Sequence, residues 1–142
     1  MMDKTNQLLL QLLTQNARES TASLARKLNL SRTAVQERIS KLESQGVIAG
    51  YTVKLSEDYQ KRIIKAWVTM KIKQKLTAQV VNAINKIPEV TSLRTISGIY
   101  DLIATISAEN TEVIDQVLDD IGKIEGIEKT ISSIELSVKF ER

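Results

Sequence analysis

Residues 24–46 read LARKLNLSRTAVQERISKLESQG, and the spacing of their apolar side chains predicts two short helices joined by a tight turn at Asn29-Leu30. The first helix follows Ser20, which can act as its N-cap. The second begins at Ser31 and ends at Gly46, since glycine suits the left-handed position after a helix. Two helices joined so closely and crossing steeply are typical of a helix-turn-helix, whose second helix lies in the major groove of DNA.

The second of these helices presents polar side chains outside its apolar stripe. The stripe consists of Ala34, Val35, Ile39 and Leu42. Arginine pairs two donors with guanine, glutamine engages adenine, and hydroxyl or ammonium groups reach phosphates. The candidate DNA-binding residues are Ser31, Arg32, Thr33, Gln36, Arg38, Ser40 and Lys41. Arg38 lies at the edge of the stripe and can instead pair with Glu37 or Glu43. A generic three-helix module with a solvated face is the alternative.

Another helix precedes this pair, from Asp3 as its expected N-cap to about Asn16. The first fifty residues hold seven Lys and Arg against four Asp and Glu, whereas the rest of the chain holds thirteen of each sign. The whole net charge of +3 therefore lies in the helical part. An excess of base on a compact helical domain is typical of a nucleic-acid partner. The alternative is that a net charge of +3 over fifty residues is ordinary scatter, so the spacing of the helical residues decides between the two.

An alternating segment follows the three helices. Residues 50–55 place apolar and polar side chains in turn, which predicts a short strand in the position of a wing. Residues 56–64 show no clean period and are interpreted as a hinge. The expected organisation is a winged helix-turn-helix domain over 1–50, a strand and hinge linker over 51–64, and a second domain over 65–142.

The second domain alternates strands and helices in the order β-α-β-β-α-β. Its predicted elements are a strand at 66–73, a helix that Thr77 caps and Pro88 ends, strands at 90–96 and 100–107, a helix from about Asn110, and a last strand at 127–138. This order is the split βαβ of a ferredoxin-like sandwich, so the chain as a whole is α+β. Two helices cover one face of such a sheet and leave the other face open.

The open face carries apolar side chains. Trp67 has the opposite parity to the inward residues of its strand, and Ile103 and Ile131 have the matching parity on theirs. An exposed apolar sheet face usually marks an association surface, so these three residues are the predicted oligomer interface. The alternative is a solvated face on which Trp67 stands by chance beside Lys71 and Lys73.

Composition excludes several classes of function. The chain has no cysteine and no histidine, which removes disulfides, thiol catalysis, imidazole acid–base chemistry and the usual zinc or iron ligands. No apolar run approaches membrane-spanning length, and the N-terminus lacks the features of a secretory signal. We therefore expect a cytoplasmic protein that is not an enzyme, without metal, cofactor or membrane partner. An enzyme built on Tyr100, Asp101 or the acids Asp115, Asp119 and Asp120 is the alternative from another class.

Short motifs run along nearly the whole chain. They are Ala17-Arg18, residues 30–39, Lys41-Leu42-Glu43, Gly46-Val47-Ile48, Gly50-Tyr51, Pro88-Glu89-Val90, Gly98-Ile99-Tyr100-Asp101, Gly126-Ile127, Thr130 and Ser132. In this order they resemble the Lrp/AsnC family, the transcription factors named after the leucine-responsive regulatory protein and the asparagine-synthetase regulator. The chain departs from the family pattern at Asn6 and Asn16, where Asp is common, and at Tyr59-Gln60, where the hinge usually has Leu-Gly.

The resemblance implies a second domain of the ligand-sensing RAM type, which dimerises through its sheets and assembles further, commonly into a ring of four dimers, an octamer. It also implies a small effector, often an amino acid, bound between dimers near a Gly-x-x-Asp loop. The implied effector-binding residues are Gly98, Ile99, Tyr100, Asp101, Thr130 and Ser132. Asp101 can pair with an ammonium group, although the same pattern also suits a plain hairpin turn.

These features together predict a sequence-specific transcriptional regulator that binds double-stranded DNA and responds to a small effector. The alternative among DNA-binding proteins is an architectural protein that packs DNA around an oligomer and senses no effector.

Overall fold

The computed structural model describes residues 2–141. The chain forms two compact units, Met1–Lys54 and Leu55–Arg142. Each unit has its own hydrophobic core.

The N-terminal unit consists of three helices. They are α1 (Lys4–Gln15), α2 (Thr21–Leu28) and α3 (Arg32–Ser44). Each helix begins with a side-chain cap, because the first backbone N–H groups of a helix have no partner inside it. The side chains of Asp3, Ser20 and Ser31 accept hydrogen bonds from the backbone N–H of the third residue after them. The predicted starts of the three helices are confirmed.

A tight turn joins α2 to α3. Asn29 adopts the left-handed conformation with a φ of 53°, and the backbone N–H of Leu30 donates to the carbonyl of Ala25 at 2.9 Å. The helix-turn-helix is therefore confirmed. The core of the unit consists of Leu9, Leu13, Leu24, Ala25, Val35 and Leu42. Since Val35 and Leu42 belong to α3, the inner side of that helix is buried and its outer side is available.

The segment after α3 differs from its predicted form. Within the part of the chain that the structure describes, residues 50–55 belong to no strand. A strand is held by hydrogen bonds to a neighbouring strand, and no described segment pairs with these residues. The predicted strand at the wing position is therefore wrong for the single chain. A short helix, α4 (Glu57–Gln60), occupies the predicted hinge and is capped by Ser56.

The C-terminal unit has the predicted β-α-β-β-α-β order. Its elements are β1 (Ile64–Ile72), a 3-10 turn (Gln74–Leu76), α5 (Thr77–Asn85), β2 (Val90–Thr95), β3 (Leu102–Ala108), α6 (Thr111–Gly122) and β4 (Ile127–Ile134). The strands form one antiparallel sheet in the order β2-β3-β1-β4. This order confirms the ferredoxin-like architecture and the α+β class.

One face of the sheet is packed beneath α5 and α6. Side chains directly opposite each other on antiparallel strands share a face, and on this face Val68 stands opposite Ala104. The strand residues of the core are Ala66, Val68, Met70, Ile72, Leu102, Ala104, Ile106 and Ala108. The helix residues of the core are Val80, Ile84, Ile114, Val117 and Ile121. The predicted alternation of β1 and β3 is confirmed.

The ends of α5 differ from the prediction. Thr77 is the first residue of the helix rather than its cap, and its hydroxyl donates to the carbonyl of Gln74 at 2.8 Å. The 3-10 turn before α5 supplies this carbonyl, so the chain is already helical when it reaches Thr77. At the other end, α5 stops at Asn85, ahead of Pro88.

The last strand is shorter than predicted. Ile134 is its final paired residue and stands opposite Ala66. Just past this strand, the backbone N–H of Glu135 still donates to the carbonyl of Lys65 on β1 at 2.8 Å, and residues 136–138 belong to no strand. Leu136 and Val138, which lie within the predicted strand at 127–138, are 94% and 57% exposed.

Candidate DNA-reading helix and effector site

The outer face of α3 is polar and accessible. The exposed candidates on and just before this helix are Ser31, Arg32, Thr33, Gln36, Ser40 and Lys41. Arg32, Gln36 and Ser40 follow one another at four-residue intervals and therefore share one side of the helix. Ser31 has a structural role as well, because its hydroxyl accepts the backbone N–H of Ala34 at 3.1 Å. The structure thus brings the candidate base-reading side chains together on one accessible surface.

Arg38, the remaining candidate, contacts α1. Its Nη1 donates to Oδ2 of Asp3 at 2.8 Å and to Oδ1 of Asn6 at 2.9 Å. The alternative of pairing with Glu37 or Glu43 is wrong, because the guanidinium reaches the first turn of α1 instead. The hydrogen bond from Arg38 is the main reason that the pKa of Asp3 lies below its ordinary value. The sequence predicts the capping role of Asp3, but no local pattern indicates this partner 35 residues away.

Glu43 has a different partner, Tyr51. The Tyr51 hydroxyl donates to Oε1 of Glu43 at 2.7 Å. This hydrogen bond raises the pKa of Tyr51, because a phenolate would lose it and would lie beside a carboxylate. The contact ties the end of α3 to the segment that follows it, and no local sequence pattern indicates it.

The candidate effector loop is the hairpin between β2 and β3. Gly98 has a φ of 118°, and the side chain of Ile99 is 78% exposed. The carboxylate of Asp101 accepts the backbone N–H of Ile72 at 2.9 Å and the Nε2 of Gln74 at 3.1 Å. Asp101 therefore fastens the hairpin to the end of β1. The sequence did not indicate its second contact, the one with Gln74.

Thr130 and Ser132, the other effector candidates, lie on β4 and are exposed. Thr130 stands opposite Met70 on β1, and Met70 stands opposite Leu102 on β3. Two strand spacings, about 10 Å, thus separate Thr130 from the strand that follows the hairpin. A single chain places the two groups of candidates at one end of the sheet but does not bring them into contact.

The open face of the sheet gathers the predicted interface residues. Thr69 on β1 stands opposite both Ile103 and Ile131, so these two isoleucines flank it on the same face. Trp67 lies on that face as well, and its indole Nε1 donates to Oε2 of Glu135 at 3.2 Å. The predicted parity of Trp67, Ile103 and Ile131 is confirmed.

Within residues 2–141, no group of three or more Asp or Glu side chains is arranged to hold a metal ion. None of the helices in these residues combines the length and the apolar character needed to cross a bilayer.

Both parts of the chain match known domains. The AsnC-type helix-turn-helix domain matches residues 2–43, and the Lrp/AsnC ligand binding domain matches residues 65–142. The HTH-type transcriptional regulator LysM from Sulfurisphaera tokodaii is 33% identical, over 97% of this chain and 97% of that protein. The HTH-type transcriptional regulator FL11 from Pyrococcus furiosus is 26% identical, over 99% of this chain and 93% of that protein.

Solved structures share the fold. AsnC from E. coli superposes with a TM-score of 0.90 at 22% identity, covering 100% of this chain and 97% of that one. The transcriptional regulator NMB0573 from Neisseria meningitidis, solved as a complex with L-Met, also gives a TM-score of 0.90, at 24% identity over 99% of this chain and 94% of that one. These relatives and neighbours are transcriptional regulators rather than enzymes. Because the ligand binding domain alone matches more than half of the residues and LysM is similar over almost the full length, the chain belongs to the Lrp/AsnC family of transcriptional regulators.

Proposed function

We propose that this regulator reads DNA with the outer face of α3 and changes its assembly or its DNA binding when the C-terminal unit binds a small effector. The exposed face of α3 carries the DNA part of the proposal. A helix of this kind enters the major groove with its N-terminal residues at the base edges, and Arg32 and Thr33 are the first residues of α3. The helix-turn-helix units of a dimer then contact two half-sites separated by whole helical turns of about 10 base pairs.

Arg32→Ala is expected to weaken operator binding by about 1–3 kcal/mol and to leave binding to unrelated DNA nearly unchanged, because a bidentate contact to guanine discriminates among bases. Gln36→Ala should behave in the same way. Lys41→Ala should instead weaken binding to all sequences. It should also reduce the steepness of the plot of log affinity against log salt concentration by about one unit. Fluorescence anisotropy with an operator selected by the wild-type protein from random DNA measures all three variants. An unchanged preference among operators in Arg32→Ala would contradict the role given to that side chain.

We propose an amino acid as the effector, bound at the end of the sheet that carries the Gly98 hairpin. Two observations support it, the match of the C-terminal unit to a ligand binding domain and the L-Met complex of a structural neighbour. The hairpin offers backbone N–H donors for a carboxylate, and the Asp101 carboxylate offers acceptors for an ammonium group. Thr130 and Ser132 contribute hydroxyls where assembly places the β4 of another copy beside the hairpin. Such a ligand changes regulation only if its affinity differs between assemblies.

Asp101→Asn is expected to reduce effector affinity about ten- to a hundredfold, because the charge that pairs with the ammonium is lost. The amide oxygen can still accept the backbone N–H of Ile72, and the exposed Gln74 side chain can turn its own oxygen toward the new NH2 group, so the variant keeps the means to hold the hairpin. A thermal-shift screen of amino acids identifies the effector, since a ligand of the folded state raises the melting temperature, and calorimetry measures the variant. Wild-type affinity in Asp101→Asn would contradict this site. A screen without any shift would favour the architectural protein.

We propose that the open sheet face joins two copies and that the dimers assemble further, up to an octamer. The support is the row of apolar side chains on a face that neither α5 nor α6 covers, with Trp67 39% and Ile131 46% exposed. As a regulator of transcription, the assembly acts in the cytoplasm, where it meets DNA.

A further inference from the structure

A polar contact joins the start of α1 to the middle of α3. A single guanidinium nitrogen of Arg38, Nη1, donates to Oδ2 of Asp3 at 2.8 Å and to Oδ1 of Asn6 at 2.9 Å. These three residues are termed the α1–α3 clamp. The clamp lies outside the effector site and outside the row of Arg32, Gln36 and Ser40, and it shares a cleft with Lys41.

Both acceptors of the clamp are held in place by α1 itself. Oδ1 of Asp3 accepts the backbone N–H of Asn6 at 2.7 Å as the helix cap, which fixes the direction of Oδ2. Asn6 belongs to the first turn of α1 and projects from a formed helix. Asp3 is ionised at neutral pH as an ordinary aspartate is, and the hydrogen bond from Arg38 lowers its pKa further. Arg38 therefore meets a charged, oriented pair of acceptors.

The clamp constrains α3 in a way that the core does not. The buried side chains of Val35 and Leu42 hold the inner side of α3 in the core. Such apolar contacts have no preferred direction. Hydrogen bonds to fixed acceptors are directional. Arg38 lies in the sequence between Gln36 and Ser40, two exposed side chains of the DNA-reading face. Fixing its guanidinium therefore limits rotation of α3 about its own axis.

We propose that Arg38 is a positioning residue for DNA recognition, held by Asp3 and Asn6, and that it does not itself contact DNA. The proposal rests on the proposed DNA-reading role of α3. If Arg38 bound a phosphate instead, Asp3 would compete with DNA for the guanidinium. Removing the charge of Asp3 would then strengthen DNA binding, whereas a positioning role predicts that it weakens discrimination among sequences.

The clamp contributes more to orientation than to stability. The side chains of Arg38 and Asp3 are 31% and 54% exposed, and ion pairs with this exposure add little to folding stability. Loss of the clamp should therefore change DNA selectivity while the melting temperature stays near the wild-type value. A merely structural role would not produce that combination.

The experiment compares Asp3→Asn with Glu37→Gln. Asparagine is as good a helix cap as aspartate, so Asp3→Asn keeps the cap of α1 and removes the charge that holds Arg38. Glu37 lines the same cleft as Arg38 and forms no ion pair within residues 2–141. Glu37→Gln therefore removes one negative charge nearby and leaves the clamp intact. Affinity is measured for an operator selected from random DNA by the wild-type protein and for an unrelated duplex of the same length.

We expect Asp3→Asn to lower the ratio of the two affinities by about fivefold or more, the lower end of the cost of one mismatched base pair. Glu37→Gln should leave the ratio unchanged. The double variant Asp3→Asn/Asn6→Asp returns a carboxylate to the reach of Arg38 and should recover the ratio. Arg38→Gln should lower the ratio without changing the salt dependence of binding.

Three results would overturn the proposal. In the first, Asp3→Asn leaves the ratio unchanged. In the second, Asp3→Asn strengthens binding to both DNAs more than Glu37→Gln does. In the third, Arg38→Gln lowers the salt slope by about 0.9, the value for one lost phosphate contact. A wild-type protein with no preference among operators would overturn the DNA-reading role itself, so the two failures are distinguishable.

Discussion

Gly126→Ala is expected to lower the free energy of unfolding of the C-terminal unit by about 2–6 kcal/mol. Gly126 lies directly before β4 with a φ of 103°, a conformation that L side chains rarely adopt. A Cβ at this position would lie 2.9 Å from Cβ of Leu76 and 2.9 Å from Cγ2 of Val80. Val80 is fully buried and cannot retreat. Backbone strain and overpacking each cost about 1–3 kcal/mol, and here they act at one residue.

Two other glycines separate these contributions. Gly98 has a φ of 118° but nothing within 4 Å of an added Cβ, so Gly98→Ala carries the strain alone. Gly122, the last residue of α6, has no left-handed φ and nothing within 4 Å of an added Cβ. Gly122→Ala should therefore be neutral or should stabilise the unit by up to about 1 kcal/mol. The fluorescence of Trp67, the single tryptophan, follows unfolding of this unit at matched protein concentrations. If Gly126→Ala lowers the free energy of unfolding no more than Gly98→Ala does, the overpacking against Leu76 and Val80 contributes nothing.

Most of the fold could be predicted because its signals are local. The caps Asp3, Ser20 and Ser31 lie within one turn of the N–H groups that they accept. The alternation of β1 and β3 likewise depends on neighbouring residues, and it correctly separates the buried face of the sheet from the open one. These patterns place the helices and the central strands without any knowledge of tertiary contacts.

The errors fall on segments whose structure depends on a distant partner. Residues 50–55 and 136–138 both continue a strand-like alternation, but within residues 2–141 neither segment belongs to a strand. Alternation identifies a segment that suits a pleated surface, and pairing requires a second segment in register. The sequence therefore predicted two strand portions that the single chain does not form.

The same distinction applies to the candidate sites. Helical periodicity is enough to predict which side of α3 is exposed, because it depends on residues three and four positions apart. The partners of Arg38 on α1, and of Asp101 beside β1, are set by tertiary packing and leave no local signal. The separation of Thr130 from the hairpin follows from strand order, which puts β1 between them.

The open face of the C-terminal sheet combines an apolar centre with basic neighbours. Ile103 and Ile131 flank Thr69 at the centre, while Lys71 and Lys129 stand opposite each other farther along the same face. Interfaces between copies commonly have an apolar core surrounded by charged groups that stay in water. Association through the centre would bury the isoleucines and the indole and leave the lysines at the rim.

Trp67→Glu is expected to dissociate the assembled protein, because a carboxylate buried without a partner in an apolar contact costs several kcal/mol. The new carboxylate would also lie near Glu135, which now accepts the indole N–H at 3.2 Å, and like charges repel. Val81→Glu is the matched control, since Val81 on α5 is 38% exposed against 39% for Trp67 but lies on the helix side of the sheet. Sedimentation velocity at equal concentrations should show smaller particles for Trp67→Glu and wild-type particles for Val81→Glu. An unchanged particle size for Trp67→Glu would exclude this face as the main interface. If both variants dissociated, the added negative charge would explain the loss of assembly, and the position on the open face would not.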